Sequence, residues 1–555
     1  MTEPTPVVPL GAEPEAVADR LVAPSVPVTE PVRRRLRDAC AVVDDDASSL
    51  AEAGRDWWPI AVRWALRGQV PARPAVVCRP ADADQVAAVL AVCHDARVPV
   101  TAAGGRSGVC GASVPAFGGV ALDLCGLAGV TDVDDRSLLA QVAAGTFGPD
   151  LESALATRGL TAGHWPQSMA LSTVGGWVAC RGAGQYSTRY GKIEDMVAGL
   201  DVVLADGRRL RTGGAAPRAA VGPDLTQVFV GSEGTLGVVT GVLLRVHPRP
   251  AAAGRRAYRF ASFDDGLEAC RRVLRAGATP AVLRLYDPVE AERSFAVGDA
   301  AVLVVLDEAE PGILQATLAA VDAAAAATGG TADDEALVDR WLAHRNDVSA
   351  LAPLYRAGIV VDTVEVAARW SALPALYRDC LAALRAIGGT LVASAHQSHA
   401  YADGACLYFT FAGREPAGGG EPVAGPGGGA HAGTVADAPG RGRRPDDDPD
   451  AWAEAYYAAA WDAVTGVVAA SGAAISHHHG VGLNRARFVA GAPGTDLGVL
   501  QALKDALDPT GILNPGKMGL MSPFGEVLAP APATASVAAA RAAAGPPGPS
   551  RGGRP

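Results

Sequence analysis

The chain has 555 residues, of which 48 are basic and 59 acidic, giving a formal net charge of −11 at neutral pH. A chain of this length can bury a sizeable hydrophobic core and form several domains. The acidic balance excludes a general binder of nucleic-acid backbones, which would need a basic face.

The N-terminus and the cysteines bear on the cellular compartment. Residues 1–10 contain Glu3 and prolines but no basic region followed by an apolar stretch, so no secretory signal is expected. No apolar run reaches the roughly 18–20 residues that a membrane-spanning helix needs. The nine cysteines are scattered and form no Cys-x-x-Cys pair. This pattern favours reduced thiols in a cytoplasmic protein over a disulfide framework or a zinc site.

Three stretches lack the composition of a packed domain. Residues 1–30 are rich in Pro, Glu and Val without a period, residues 413–450 in Gly, Pro and charge, and residues 529–555 in Ala, Pro and Gly. We expect all three to be unstructured, because such segments cannot bury a core. Residues 1–69 are predicted to form an N-terminal extension and a helical segment.

Predicted strands and helices alternate between residues 70 and 250. A helix is expected where Val86, Val89, Leu90 and Cys93 follow a helical spacing, with Asp82 or Asp84 as its cap. An Ala-Asp-Gly turn within residues 200–210 predicts a hairpin. The other predicted strands cover residues 75–78, 98–101, 120–124, 139–142 and 301–306. From residue 251 the pattern changes to mixed helices and short strands, which indicates a second domain over 251–500 that contains the 413–450 insertion.

A glycine-rich loop, residues 104–108, follows the second of these strands. Its backbone N–H groups are suited to a pyrophosphate. Its spacing, however, matches neither G-x-G-x-x-G nor the loop that binds nucleoside triphosphates. A simple turn that uses glycine for its positive φ therefore stays open as an alternative.

Two later segments are also glycine-rich and border apolar runs. Residues 163–178 read GHWPQSMALSTVGGWV, and residues 231–239 read GSEGTLGVV. Three such segments suggest backbones that converge on one large, flat ligand. With AAGGRS at 102–107, they resemble in order and spacing the vanillyl-alcohol-oxidase/p-cresol-methylhydroxylase type of FAD-binding family, although that family often has Pro where Ala102 stands.

The resemblance implies an α+β protein with a two-subdomain p-cresol-methylhydroxylase-type FAD-binding domain over 70–250 and a second α+β substrate (cap) domain. Residues 501–528 would return to the flavin site. The implied FAD-binding residues are Gly104, Gly105, Arg106, Ser107, Gly108, Pro166, Ser168, Thr173, Gly175, Gly176, Glu233, Gly234 and Val238. Some relatives attach FAD through a histidine at the place of Arg106. Because arginine cannot form that bond, we predict non-covalent FAD.

Three consecutive histidines, His477, His478 and His479, precede Gly-Val-Gly. Their internal position argues against an expression tag. Adjacent side chains of an extended segment point in alternate directions, so a shared metal ion is not expected. Histidine suits acid–base work because its pKa lies near neutrality. With His164, His396 and His399, the three consecutive histidines make six of the ten histidines, and these six lie in only three segments, although a structural role for any one of them stays open.

SHHHGVG at 476–482, DGACLYFTF at 403–411, AGHWPQS at 162–168 and RLYD at 284–287 together resemble alkyldihydroxyacetonephosphate synthase. This family exchanges the acyl group of acyl-dihydroxyacetone phosphate for a fatty alcohol, through a flavin N5 adduct and without net redox change. The resemblance implies an enzyme of ether-lipid synthesis.

The same resemblance assigns roles. Tyr408 would be the acid–base residue with His478 in support, while His477, His479 and His164 would line the polar end of the site. Arg284 would bind phosphate or carboxylate, since a guanidinium can bond two oxygens at once. The alternative role for Arg284 is an ordinary ion pair with Asp287. The peroxisomal enzymes carry an arginine where this chain has His396, which predicts weaker or pH-dependent anion binding there.

Two other classes of function stay open. An FAD-dependent oxidase or dehydrogenase of a 2-hydroxy acid or related alcohol would use the same scaffold, and a non-catalytic flavin-binding or lipid-carrier protein is the other. The expected ligand is a small, lipid-like molecule with an anionic head. No nucleic acid, metal or transmembrane segment is expected, whereas transient contact with a membrane surface and a homodimer stay open.

Overall fold

The computed structural model describes residues 9–214, 216–347, 351–416 and 450–527. The ends of the predicted insertion belong to the folded structure, because Gly413 ends a strand and Asp450 begins a helix. Residues 417–449 and the tail from residue 528 lie outside the described residues. The expectation that residues 1–30 are unstructured is wrong for residues 9–30, in which Ala18–Asp19 pairs with Gln69–Val70.

The described elements are numbered in chain order. The helices are α1 Glu30–Ala39, α2 Ala47–Ala53, α3 Pro59–Ala65, α4 Ala83–Ala96, α5 Gly148–Ala156, α6 Val174–Cys180, α7 Ser187–Tyr190, α8 Ile193–Met196, α9 Leu225–Phe229, α10 Phe263–Arg275, α11 Pro288–Phe295, α12 Pro311–Ala326, α13 Ala336–His344, α14 Leu351–Arg356, α15 Leu373–Arg385, α16 Ala451–Ser471 and α17 Leu497–Leu507, with 3₁₀ turns at Pro14–Ala16 and Ala486–Gly491. The strands are β1 Ala18–Asp19, β2 Val42–Asp44, β3 Gln69–Val70, β4 Val76–Arg79, β5 Val100–Ala103, β6 Val120–Asp123, β7 Val130–Asp134, β8 Leu139–Ala143, β9 Leu160–Thr161, β10 Val197–Val203, β11 Arg209–Gly213, β12 Val238–Arg245, β13 His247–Pro248, β14 Ala252–Phe260, β15 Val282–Tyr286, β16 Ala301–Ala309, β17 Thr331–Ala332, β18 Val360–Arg369, β19 Thr390–Ala400 and β20 Gly404–Gly413.

Two larger sheets form most of the first half of the chain, beside the two-stranded sheets β1-β3 and β13-β9. The four-stranded sheet has the order β2-β4-β6-β5, in which β4, β6 and β5 are parallel, and it shares a hydrophobic core with α1 and α4. The five-stranded sheet is antiparallel with the order β11-β10-β12-β8-β7. Residues near the C-terminus return to the first sheet, where Ile512 and Leu513 join its core and Leu513 bridges to Val100.

The second half is built on a seven-stranded antiparallel sheet with the order β17-β14-β16-β15-β19-β20-β18. Side chains on β15, β16 and β20 alternate between the two faces of the sheet, as on any pleated strand, whereas β19 is irregular at residues 390–392 and 397–399. On β20, Leu407, Phe409 and Phe411 enter the large core formed with α10, α15 and α16, while Tyr408 and Thr410 point to the opposite face. That opposite face is turned toward the first half of the chain and carries the polar residues described below.

The periodic segments fold as the sequence predicts. Helix α4 begins at Asp82, whose carboxylate accepts the Gln85 N–H at 2.8 Å, and it buries Val86, Val89, Leu90 and Cys93. The predicted hairpin is the β10–β11 pair. The five other predicted strands correspond to β4, β5, β6, β8 and β16, with ends that differ by up to three residues.

The cysteines and the helices bear on the predicted compartment. All nine cysteines lie among the described residues, and no two of them are joined by a disulfide. Of the described helices, none combines the length and apolar character needed to cross a bilayer.

Candidate active site

The first two predicted flavin loops pack against each other within the first half of the chain. A Cβ atom on Gly104 would lie 2.2 Å from the Thr173 hydroxyl, and one on Gly105 would lie 2.0 Å from the Leu171 carbonyl oxygen. Only glycine permits this approach of the 104–108 loop to the segment that begins α6. Thr173 is the N-cap of α6, and Gly175 and Gly176 form its first turn. The simple-turn alternative for residues 104–108 does not account for this contact between separated glycine-rich segments.

Buried polar atoms without partners lie on the same two loops. The Arg106 guanidinium donates to Asp123 at 3.1 Å, but its Nε and Nη2 atoms are buried without a hydrogen-bond partner. His164 is 1% exposed, lies 4.5 Å from the Trp177 ring, and has no partner for either ring nitrogen. Leaving such groups unsatisfied is costly. Their chemistry fits a large ligand with hydrogen-bonding oxygens and nitrogens, which FAD provides.

The other predicted cofactor residues do not all lie in one place. Pro166 and Ser168 lie half-buried in a turn, and Ser107 and Gly108 continue the first loop. Val238 is buried in the core of the four-stranded sheet. The Glu233 side chain, expected at the cofactor, instead accepts the N–H groups of Val481 and Gly482. Gly234 follows it with a φ of +72°.

The catalytic candidates form a row across the seven-stranded sheet. In the antiparallel ladders Glu365 on β18 lies opposite Tyr408 on β20, Tyr408 opposite His396 on β19, and His396 opposite Tyr286 on β15. Residues that are opposite in a ladder share a face. The His396 and Tyr408 rings are stacked with centroids 4.8 Å apart. The sheet register therefore fixes the spacing of these side chains.

The histidine loop, residues 476–482, folds over this row and completes a chain of hydrogen bonds. Tyr408 Oη lies 2.5 Å from His478 Nε2 and 3.3 Å from His479 Nε2. His478 Nδ1 lies 2.8 Å from His477 Nδ1, and His477 Nε2 lies 3.1 Å from Tyr401 Oη.

The chain of hydrogen bonds continues into the first half of the molecule. Ser187 Oγ lies 3.1 Å from Tyr401 Oη and 2.7 Å from His399 Nδ1. The hydrogen-bond chain consists, in order, of His479, Tyr408, His478, His477, Tyr401, Ser187 and His399. Each of these seven groups can donate a hydrogen bond to the next while all of them stay neutral. The reverse direction is equally consistent, so a proton could move along the chain.

A buried carboxylate holds the histidine loop in place. Glu365 is fully buried and accepts the N–H of His477, the N–H of His479 at 2.9 Å, and the Ser476 hydroxyl at 3.0 Å. Its counterion is Arg485, also fully buried, at 2.9 Å. Burial alone would raise the pKa of Glu365, but Arg485 and His479 lower that pKa to about 2. The carboxylate is therefore charged at every physiological pH.

Burial keeps the histidines and Tyr408 of the site neutral. It lowers the pKa of His164 and His477 to about 3, that of His479 to about 4, and that of His478 well below its usual value. Burial also raises the pKa of Tyr408 well above its ordinary value. Desolvation disfavours the charged form of each group, which explains both directions.

Arg284 and His396 form a separate contact at the other end of the row. Arg284 Nη2 lies 2.7 Å from His396 Nε2, and His396 Nδ1 lies 2.8 Å from Glu290 Oε2. A guanidinium can only donate, so Nε2 of His396 accepts and its Nδ1 carries the proton. Burial lowers the pKa of His396. His396 thus orients Arg284 and presents no positive charge of its own.

The alternative ion pair of Arg284 with Asp287 is absent from the described residues. Asp287 instead caps α11, where its carboxylate accepts the N–H of Glu290 at 2.8 Å and that of Ala395 at 2.8 Å.

The geometric argument against a shared metal was wrong for two of the histidines. His477 and His478 converge because the loop bends at residues 477–479, so alternation along an extended strand does not apply. Ligand atoms of His399, His477 and His478 lie within 4.8 Å of one another, and so do those of Glu365, Cys406 and His478. The facing histidine nitrogens are already hydrogen bonded to one another. The absence of a metal stays a prediction.

Several site residues were missed from the sequence. Ser187 links the two halves of the chain, and the Lys192 ammonium donates to the His477 carbonyl at 2.6 Å. Glu365 and Arg485 support the histidine loop, and Glu290 orients His396. One signal was available: Glu365 is the acidic residue within the apolar run Val364-Glu365-Val366, which marks a buried charge in need of a partner.

Replacing Arg485 with methionine should destabilise the protein by about 3–5 kcal/mol, because it leaves Glu365 buried without a counterion. Urea unfolding of the purified protein measures this. Arg487→Met, which removes a half-exposed pair with Asp462, is the matched control and should cost at most about 1 kcal/mol. Equal losses for the two variants would contradict the assigned importance of the buried pair.

Acid should weaken the protein through its buried histidines. The folded-state pKa of His164 is about 3 and lies below that of the unfolded chain, so its contribution is complete above about pH 6.5 and is lost as the pH falls. Between pH 6.5 and 5 the loss is at most about 2 kcal/mol. Denaturant unfolding at several pH values should show a shallower pH slope for His164→Phe than for the wild type, whereas the exposed control His344→Phe should keep the wild-type slope. Parallel curves for all three proteins would refute this assignment.

Comparison with known proteins supports the two-part architecture. The FAD binding domain family matches residues 74–213, and the family of C-terminal domains of FAD linked oxidases matches residues 250–422 and 442–518. FAD as the cofactor is confirmed.

The relatives include proteins with different names. Alkyldihydroxyacetonephosphate synthase of Dictyostelium discoideum is 26% identical over 487 residues, which cover 81% of this chain and 74% of that protein. The uncharacterized FAD-linked oxidoreductase YgcU of Escherichia coli O157:H7 is 28% identical over 459 residues, or 80% of this chain and 88% of that protein.

A solved structure of alkyldihydroxyacetonephosphate synthase superimposes with a TM-score of 0.71 at 22% identity, covering 93% of this chain and 89% of that one. The fold expected from the sequence, an α+β FAD-binding domain of the p-cresol-methylhydroxylase type with a second α+β domain, is confirmed. The chain belongs to the vanillyl-alcohol-oxidase/p-cresol-methylhydroxylase-type family of FAD-dependent enzymes, as a member that is similar to alkyldihydroxyacetonephosphate synthase.

Proposed function

We propose that this enzyme exchanges the acyl group of acyl-dihydroxyacetone phosphate for a fatty alcohol, as a step in ether-lipid synthesis. The observation that carries the proposal is the contact between Tyr408 and His478, which puts the two most distinctive motifs of the sequence at one point beside the flavin loops. The similarity to alkyldihydroxyacetonephosphate synthase over four fifths of the chain supports it.

Residues of the predicted flavin loops would hold the cofactor. The 104–108 loop, Thr173 and the first turn of α6 would contact FAD, and the unpartnered nitrogens of Arg106 and His164 would bond to it. When bound, FAD supplies a reversible centre for electron pairs from the substrate carbon. The protein contributes the orientation of the substrate, the exclusion of water and the movement of protons.

Tyr408 and His478 would act as one acid–base unit. A phenolate is disfavoured because burial raises the pKa of Tyr408, so the tyrosine is a poor base alone. It can nevertheless accept a substrate proton at Oη if it passes its own proton to His478 Nε2, 2.5 Å away. The positive charge that then forms on the imidazole is stabilised by the nearby Glu365 carboxylate. The return of the proton by the same route would assist the departing or entering oxygen.

Arg284 would bind the anionic part of the substrate. His396 and Tyr286 hold its guanidinium through Nη2 and Nε, which leaves the Nη1 edge available to an oxyanion. A guanidinium can bond two oxygens of a phosphate or carboxylate at once. The substrate head would thus lie beside His396, whose ring is stacked on that of Tyr408 with centroids 4.8 Å apart.

A second function, oxidation of a 2-hydroxy acid or related alcohol, is favoured by the match to the FAD linked oxidases and by the similarity to YgcU. Both reactions begin with removal of a proton beside an oxygen-bearing carbon, so the Tyr408–His478 pair suits either. Anaerobic mixing separates them, since a 2-hydroxy acid that bleaches the flavin and yields a keto acid supports oxidation.

FAD should be bound without a covalent link, because Arg106 stands where some relatives carry a tethering histidine. Acid precipitation of the purified yellow protein should release all of the flavin into the supernatant, with the absorption spectrum and mass of unmodified FAD. Flavin that remained with the precipitate would contradict this prediction.

Tyr408→Phe should lower kcat for the acyl-to-alkyl exchange by roughly 10²–10⁴-fold, with FAD content unchanged, because proton transfer loses its carrier. The assay measures incorporation of labelled hexadecanol into alkyl-dihydroxyacetone phosphate and release of fatty acid. Tyr355→Phe, at a buried tyrosine distant from the histidine loop in sequence, is the control and should retain activity. No exchange by the fully flavin-loaded wild type would overturn the proposed function.

A further inference from the structure

The described arginines divide sharply by their partners. Those that are at least partly buried have a carboxylate within 4 Å in every case but two, and examples are the pairs Arg106–Asp123, Arg189–Asp307 and Arg485–Glu365. The two exceptions in the described parts of the chain are Arg284 and Arg345. In an acidic protein with a surplus of carboxylates, two partly buried guanidinium groups without a counterion are unusual.

Arg345 lies close to the site although its sequence context gives no sign of this. It is the C-cap residue of α13, and its Nη1 donates to the Gln185 side chain at 3.3 Å. Gln185 and Tyr186 directly precede Ser187, which belongs to the hydrogen-bond chain of the site. Arg345 therefore contacts Gln185 and Tyr186 in the first half of the molecule, next to Ser187 of the hydrogen-bond chain.

The two unpaired arginines share an aromatic neighbour. The Cζ atoms of Arg284 and Arg345 lie 5.7 and 5.5 Å from the centroid of the Trp341 ring. Arg345 is also 5.1 Å from the Tyr186 ring. Aromatic faces stabilise a guanidinium without consuming its N–H donors. Both groups are thereby held in place with hydrogen-bonding capacity left for a ligand.

We infer that Arg345 is a second anion-binding residue, which acts with Arg284 on the phosphate head of the substrate and favours a phosphate monoester over a carboxylate. The inference rests on the proposed function. A phosphate monoester carries three terminal oxygens and about two charges near neutrality, so it can engage two guanidinium groups. A carboxylate has two oxygens and one charge, which a single guanidinium satisfies. The second arginine would thus select for the dianion.

Binding of unreactive probes to the FAD-loaded protein tests this without turnover. The probes are glycerol 3-phosphate and 3-hydroxypropanoate, a matched carboxylate, and isothermal titration calorimetry measures their affinities. For Arg345→Gln we expect at least a tenfold loss of affinity for the phosphate and less than a twofold change for the carboxylate. Arg340→Gln, at an exposed arginine of the same helix, should bind both probes like the wild type.

The charge of the probe gives a second readout that a merely structural role would not move. Affinity of the wild type for glycerol 3-phosphate should rise as the pH passes the second pKa of the phosphate, near 6. Arg345→Gln should lose most of that rise, while Arg345→Lys, which keeps the charge but not the planar fork, should retain part of it. In turnover, Arg345→Gln should raise KM for acyl-dihydroxyacetone phosphate by at least tenfold with kcat nearly unchanged.

The outcomes separate this inference from the proposed function. Arg345-dependent phosphate binding without any acyl-to-alkyl exchange would support the anion subsite and refute the synthase activity. Exchange activity with unchanged phosphate affinity in Arg345→Gln would support the synthase and overturn the subsite. Equal weakening of both probes would also overturn it. Should Arg345→Gln fail to fold with FAD, Arg345→Lys decides, since unaltered phosphate affinity and pH dependence in that variant refute the inference.

Discussion

The catalytic candidates depend on one buried carboxylate. Glu365 lies opposite Tyr408 in the ladder between β18 and β20, and it accepts two backbone N–H groups of the histidine loop. It therefore sets the height of the loop above the strand that carries Tyr408. A charged group in this position is tolerable only because Arg485 and the loop together satisfy it. The distance between Tyr408 and His478 follows from that arrangement.

The FAD-binding half makes a matching contact with the same loop. Glu233, held at a φ of +51° in the third glycine-rich segment, accepts the N–H groups of Val481 and Gly482. The Asn514 side chain in turn donates to the Glu233 carbonyl at 2.6 Å. The histidine loop is thus fixed by one carboxylate from each half of the molecule. Strain at Glu233 is tolerated where it joins the expected flavin loops to the acid–base residues.

The local features of this structure could be predicted from the sequence, and the long-range ones could not. Helix α4 follows from the spacing of Val86, Val89, Leu90 and Cys93 and from its cap, all of which lie within one short segment. For the close packing of Gly104 on Thr173, the sequence showed only that both segments are rich in glycine. By contrast, the pairing of Glu365 with Arg485 spans 120 positions. Nothing near either residue states which partner it will meet, because sheet order and loop placement decide it.

One expectation was wrong because it considered the local sequence alone. The prediction that adjacent histidines diverge assumed an extended strand, yet contacts with Glu365 and Glu233 bend the loop so that His477 and His478 meet. For His396 the sequence predicted weaker or pH-dependent anion binding, because an imidazole can be neutral. Glu290, which is distant in sequence, fixes the tautomer of His396 and leaves it as an acceptor for Arg284. In both cases the deciding partner comes from another element of the fold.

Charge in this site is confined to its edges. Burial keeps the tyrosines and histidines between His479 and His399 neutral, while one ionised carboxylate, Glu365, lies behind the histidine loop and another, Glu290, lies behind His396. A proton that enters the neutral chain meets no fixed charge within it and gains stabilisation near Glu365. An anion that approaches from the other side meets Arg284, whose charge no carboxylate cancels directly. The acid–base candidates and the proposed anion-binding residue Arg284 are therefore separated along the sheet, an arrangement that would let an acidic protein bind an anion beside its proton carrier.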